Sequence, residues 1–206
     1  MEERIQLVSN GLHLDGRIET ASGAGGAVLT HPHPLYGGDM YNPVVECLQQ
    51  AYRSRGFTTL RFNFRGAGKS EGNHDDGAGE QQDVIAAIGF LAGQGIEKIE
   101  LAGYSFGAWV NALTATDPAR ICRTIMVSPP VAFMDFSMVR AQPALSLVVT
   151  GSRDEIAPAE EIRPMLPAWN PDAALEIIEG ADHFYWSHLD RLKEVLERHI
   201  RTTPAA

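Results

Sequence analysis

At 206 residues the chain is long enough for one domain with a sizeable core, and 44% hydrophobic and 21% charged residues are ordinary for a globular protein. A net charge of −9 argues against nucleic acid and against an anionic membrane surface as partners, because both would repel it. The acidic opening Met1-Glu2-Glu3-Arg4 is not a signal peptide, and no stretch approaches the roughly 18 apolar residues of a membrane span, so the cytoplasm is the expected compartment.

Strand-like and helix-like segments alternate along the chain, which predicts an α/β fold with a mostly parallel sheet. Residues 5–8 and 12–19 read as an antiparallel pair turning at Asn10-Gly11. Residues 27–30 are a short apolar strand ending at His31-Pro32. Asn42-Pro43 opens a helix to about Arg55, with Asn42 as N-cap, proline at the first helical position and Gly56 closing it. Residues 58–64 form the next strand, followed by the loop Arg65-Gly66-Ala67-Gly68. A helix from Gly79 to about Ala92 carries Val84, Ile85, Ile88 and Leu91 on one face. Then come a strand over 98–102 and a helix from Ala108 to about Ala115. Strands over 124–127 and 145–150 precede a helix over about 158–166, a strand over 175–178 and a final helix over about 188–200. The tail 202–206 is expected to be loose. Cys47 and Cys122 sit in apolar surroundings without metal spacing and read as core residues.

Between the strand at 98–102 and the helix after it lies Gly103-Tyr104-Ser105-Phe106-Gly107. A serine on a sharp strand-to-helix turn projects its hydroxyl above the sheet, and the helix N-terminus behind it supplies N–H groups for a developing oxyanion. Such a hydroxyl needs a base, and the base needs an orienting group. Asp154 follows the strand at 145–150, and His183 follows the strand at 175–178, giving the chain order Ser, Asp, His of the α/β-hydrolase architecture. Loops after parallel strands gather at one edge, so Ser105 is expected as nucleophile, His183 as general base and then acid, and Asp154 as its orienting carboxylate. Asp182 beside His183, Glu155 beside Asp154, and His188 at a helix start are the competing residues. The second oxyanion donor besides the Phe106 N–H is expected from the loop His31-Pro32-His33-Pro34-Leu35-Tyr36-Gly37-Gly38, where proline lacks an N–H and Leu35 or Tyr36 remains. His31 and His33 read as buttresses of that loop rather than as a metal pair, since no Cys, Asp or Glu cluster accompanies them. Arg65 reads as the partner of an acid such as Glu80 or Asp83.

The combination of that loop with Arg61-Phe62-Asn63-Phe64-Arg65-Gly66-Ala67-Gly68-Lys69-Ser70-Glu71-Gly72, Gly79-Glu80-Gln81-Gln82-Asp83 and the serine elbow resembles a family of small, lidless bacterial α/β-hydrolases. They are described as predicted hydrolases or carboxylesterases and are related to dienelactone hydrolases. The resemblance spans residues 5–200. It implies a sheet of about seven to eight strands flanked by helices, minimal or no lid, and Ser105, Asp154 and His183 as the triad, a mechanism that needs neither cofactor nor metal. Dienelactone hydrolases proper carry cysteine where this chain has Ser105.

Only a loop and a short helix fit between Val127 and Leu145, which suits small soluble esters or thioesters. Phe133, Met134, Phe136 and Met138, with Phe106, Tyr36 and Trp186, are the candidate acyl pocket; exposed together, they would instead make a homodimer interface. A dehalogenase would need aspartate at the elbow. A peptidase would want a cap or propeller to select peptides, and a non-catalytic binding protein would not need all three triad residues.

Overall fold

The computed structural model describes residues 2–23, 25–114 and 120–200. The expected strands and helices form one eight-stranded sheet in the order β1-β2-β4-β3-β5-β6-β7-β8 with helices on both faces. Strands β1 (Glu2–Ser9) and β2 (Leu12–Glu19) are antiparallel, joined at Asn10 and Gly11, both with positive φ, as a two-residue hairpin requires. β2 pairs antiparallel with β4 (Thr58–Phe62). From β4 onward, through β3 (Gly25–Thr30), β5 (Lys98–Tyr104), β6 (Ile121–Val127), β7 (Leu145–Gly151) and β8 (Ala174–Ile178), every pair is parallel.

The central strands are buried on both faces, so successive residues feed two cores. Val28, Leu101, Met126 and Val148 pack with α2 (Ala78–Gly93), α3 (Phe106–Leu113) and α4 (Ala159–Trp169). Their neighbours Leu29, Ala102, Ile125 and Val149 pack on the other face with α1 (Pro43–Ser54) and α5 (Leu189–His199). The chain winds outward from β3 in both directions, to β4 on one side and β5 on the other. A crevice therefore opens between the loops that follow β3 and β5, the place where open α/β sheets hold ligands.

Several boundaries differ from expectation for identifiable reasons. β4 stops at Phe62 rather than Phe64 because the next N–H groups leave the ladder: Asn63 donates to the Asp15 carbonyl (2.9 Å) and Phe64 to His31 Nε2 (3.0 Å). Helix α4 continues past Leu166 to Trp169, through Pro164 and Pro167, because Ile162, Leu166 and Trp169 share the face buried on the sheet. Helix α3 starts at Phe106, before Ala108; its expected end at Ala115 lies outside the described residues, as does the tail. No helix forms between β6 and β7. That segment is held flat by Trp109 Nε1 on the Asp135 carbonyl (2.8 Å) and by the Gln142 N–H on the Trp169 carbonyl (2.7 Å), so it makes no lid. Cys47 is buried, but Cys122 is exposed at the outer end of β6 and is not a core residue. Among the described residues no helix is long and apolar enough to cross a membrane.

Candidate active site

Ser105 is the hinge of the β5–α3 turn and takes φ 53°, ψ −120°. For a non-glycine residue that conformation costs roughly 1–3 kcal/mol, supplied by the surrounding packing. The turn closes only because its two glycines lack side chains. A Cβ on Gly103 would stand 2.6 Å from the Ala108 nitrogen, and one on Gly107 would stand 2.6 Å from Thr30 Oγ1. The Ser105 hydroxyl does not cap its own helix but lies 3.0 Å from His183 Nε2. Phe106 is the first residue of α3, so its N–H has no acceptor within the helix.

His183 lies in the loop after β8, and its Nδ1 is 3.0 Å from both Asp154 oxygens. A carboxylate only accepts, so Nδ1 carries the proton and Nε2 is left to accept from the serine hydroxyl. Asp154 follows β7 and also accepts from the N–H groups of Ile156 (3.0 Å) and Ala157 (2.8 Å). Burial alone would raise its carboxyl, but the hydrogen bonding and charge of His183, with the hydrogen bond from the Ala157 N–H, outweigh burial. They hold Asp154 below its ordinary value and ionised. Ser105, Asp154 and His183 are all buried. The competing acids are turned elsewhere: Glu155 is exposed, and Asp182 Oδ1 accepts from the N–H groups of Phe184 (3.1 Å) and Tyr185 (3.0 Å).

The loop after β3 is fixed by its first histidine. His31 is fully buried, donates from Nδ1 to the Pro32 carbonyl (2.6 Å) and accepts at Nε2 from the Phe64 N–H. Burial lowers its pKa to about 4, keeping it neutral. His33 Nδ1 accepts from the Leu35 N–H (3.3 Å), and its pKa is lowered, first by burial and then by the neighbouring His74. The Tyr36 N–H is committed to the His33 carbonyl (3.1 Å). No cluster of three or more metal-binding side chains exists among the described residues. Arg65 pairs with Asp83 at 2.7 Å, while Glu80 instead caps α2 at the Gly77 N–H (2.9 Å).

A cavity of about 580 Å³ opens over Ser105 and His183. Tyr36, Phe106, Phe133 and Met134 line it, as expected. Phe136 does not, because it is buried against Trp169 at a centroid distance of 5.3 Å. Trp186 is largely exposed, outside the lining and beyond Phe184. Met138 belongs to a separate cavity of about 510 Å³ toward the start of β6. Asn42, Tyr104, Ile156 and Phe184 also line the cavity over Ser105, and His74 lies against His33, none of them anticipated from the sequence. Tyr104 was in plain view inside the elbow; its hydroxyl donates to the His183 carbonyl (2.8 Å) and helps hold that loop.

The chain matches the X-Pro dipeptidyl-peptidase (S15) family over residues 19–161 and belongs to that family of α/β hydrolases. It is 34% identical to an alpha-beta serine hydrolase homologue from Coxiella burnetii, with a TM-score of 0.88 over 96% of this chain and 97% of that one. It is 31% identical to an α/β serine hydrolase without lid from Xanthomonas campestris, with a TM-score of 0.90 over 100% and 96% of the two chains. An uncharacterised protein of Rickettsia prowazekii (strain Madrid E) is 31% identical, over 91% of this chain and 86% of its own length.

Proposed function

We propose that the protein is a serine esterase that cleaves small to medium, uncharged carboxylic esters through an acyl-enzyme. The observation that carries this reading is the continuous bonding of Ser105 Oγ to His183 Nε2 and of His183 Nδ1 to Asp154 at the mouth of an accessible cavity. Ser105 attacks the acyl carbon as His183 takes its proton. The alkoxide leaves with that proton, and water, activated by the same imidazole, releases the acid. The Phe106 N–H is one oxyanion donor. Leu35 is the better second donor, since its N–H is held only by a long side-chain bond whereas that of Tyr36 is used within the loop. Thioesters fit the same chemistry, and the mechanism calls for no cofactor.

The family's description raises a dipeptidyl-peptidase as the second reading. Such a substrate brings a free N-terminal ammonium, which a carboxylate in the site would have to receive. Among the described residues, those lining the cavity include no Asp, Glu, Lys or Arg, which favours neutral acyl groups.

A fluorophosphonate probe and a series of p-nitrophenyl esters test the reading. We expect labelling of the folded protein and ester turnover, both lost in Ser105→Ala. Labelling that survives this substitution would refute it, and release of X-Pro dipeptides in preference to esters would replace it with the peptidase reading.

A further inference from the structure

The cavity over Ser105 has two unlike walls, and the strand order separates them. β3 and β6 flank β5 on opposite sides, so the loop after β3 and the start of α1 face the segments after β6, β7 and β8 across the serine. The wall on the β6 side is apolar: Pro130, Phe133, Met134, Ile156 and Phe184. The wall on the β3 side carries Asn42 and His33. Other polar side chains of the lining are already engaged. Ser105 and His183 bond to each other, Tyr104 donates to the His183 carbonyl, and Tyr36, 89% exposed, stands in water.

Asn42 and His33 each have one polar atom committed and one left over. Asn42 Oδ1 caps α1 by accepting from the Val44 N–H (2.9 Å), which fixes the carboxamide and leaves Nδ2 as a donor. Among the described residues Nδ2 has no acceptor. His33 Nδ1 accepts from the Leu35 N–H (3.3 Å), so the proton of the neutral ring sits on Nε2. Burial first, then the neighbouring His74, lowers the His33 pKa and keeps that ring neutral. His74 does not receive the Nε2 proton, because its own nitrogens lie 2.9 Å from Glu80 and 3.3 Å from Asp76. Two N–H donors therefore border the cavity without a protein acceptor among the described residues, and a substrate that covered them without pairing them would bind poorly.

We propose that Asn42 and His33 are specificity-determining residues that select esters bearing a second, neutral oxygen acceptor apart from the scissile group, such as an ether, ketone or further ester oxygen. The proposal rests on the esterase reading above and names the substrate class within it. A plain hydrocarbon ester strips water from both donors and pairs neither, whereas an oxygen in reach of either restores the lost bond. The acceptor is neutral because, among the described residues, no Lys or Arg borders the cavity to balance an anion. The hydrocarbon part of the substrate lies on the Phe133 and Met134 side.

Two isosteric pairs of esters test this. For the alcohol half, 2-methoxyethyl butyrate is set against n-butyl butyrate; for the acyl half, p-nitrophenyl 3-methoxypropanoate against p-nitrophenyl pentanoate. Each pair exchanges one CH2 for an ether oxygen. The quantity read is the ratio of kcat/KM within a pair, compared between wild type and variants, so the intrinsic reactivity of the esters cancels. Asn42→Asp keeps the helix cap and exchanges the Nδ2 donor for an acceptor, and His33→Phe keeps a ring against Phe106 while removing its donor. We expect the wild-type ratio in at least one pair to favour the ether and to fall about tenfold in each variant. A residue with only a structural role would slow both members of a pair alike and leave the ratio where it was. Ratios that neither variant moves in either pair would overturn the proposal. The esterase reading fails separately, on absent turnover in the wild type. The binding claim is then read in Ser105→Ala, where the NMR resonance of the Asn42 side-chain amide should shift with an ether ester and not with its hydrocarbon partner. A resonance indifferent to both would overturn the proposal there as well.

Discussion

His183 Nδ1 lies equidistant, at 3.0 Å, from the two oxygens of Asp154, so the carboxylate fixes both the ring's tautomer and its plane. An amide in that place would offer a donor on one side and favour the opposite tautomer, with the proton on the nitrogen that must accept from Ser105. We therefore expect Asp154→Asn to fold and to lose about 10³–10⁴-fold in kcat, with KM little changed. Steady-state kinetics on a single ester check this, and a loss smaller than tenfold would mean that Asp154 does not orient the base.

His31 makes the stability of the loop after β3 depend on pH. Its folded pKa is lowered from 6.5 to about 4, so the unfolded chain binds the proton more readily. The stabilising effect of the neutral ring is then fully present above about pH 6.5 and is lost as pH falls toward 4. The difference amounts to about 3 kcal/mol. Urea unfolding at pH 7 and pH 4.5 should show this decline in the wild type. His31→Gln should be weaker at pH 7 but less sensitive to acid; equal sensitivity in the two proteins would assign the decline to other groups.

The serine elbow and the two loops that follow β7 and β8 were legible because each is a local pattern: an apolar strand, a small-residue turn, then a polar group. Helix α1 was legible for the same reason, from Asn42, Pro43 and Gly56. Phe136 was not, because an aromatic residue in a loop reads the same whether it lines a cavity or packs on Trp169. The end of β4 was hidden because Asn63 and Phe64 continue an apolar alternation while their N–H groups go to partners from β2 and the β3 loop. Ser128 and Tyr185 were the least legible. Both take positive φ against local preference, and their hydroxyls meet at 2.8 Å only once the loops after β6 and β8 are brought together.

Gly107 has no conformational role of its own; what it provides is the close approach of α3 to β3. A Cβ there would stand 2.6 Å from Thr30 Oγ1 and 2.7 Å from the Thr30 backbone, and the backbone cannot withdraw without moving the strand. Gly107→Ala should cost about 3 kcal/mol, and turnover should fall with it because Ser105 and the loop after β3 separate. The urea midpoint and kcat of the purified variant test both effects; a midpoint like that of the wild type would show that the elbow has more slack than the packing allows.

Phe133 stands at the opposite pole. It lines the cavity over Ser105 yet is 74% exposed, so the fold gains little from it while a bound acyl chain would cover it. Phe133→Ala should leave Tm within a degree or two, since surface substitutions rarely cost more than about 0.5 kcal/mol. Its effect should fall on substrate choice. KM for a hexanoate ester should rise by roughly tenfold while that for acetate barely moves, because only the longer chain reaches the ring. A chain-length series of p-nitrophenyl esters gives the comparison directly. A uniform rise across the series would mean that Phe133 holds the alcohol side of the ester, and no change at any length would remove it from the binding surface.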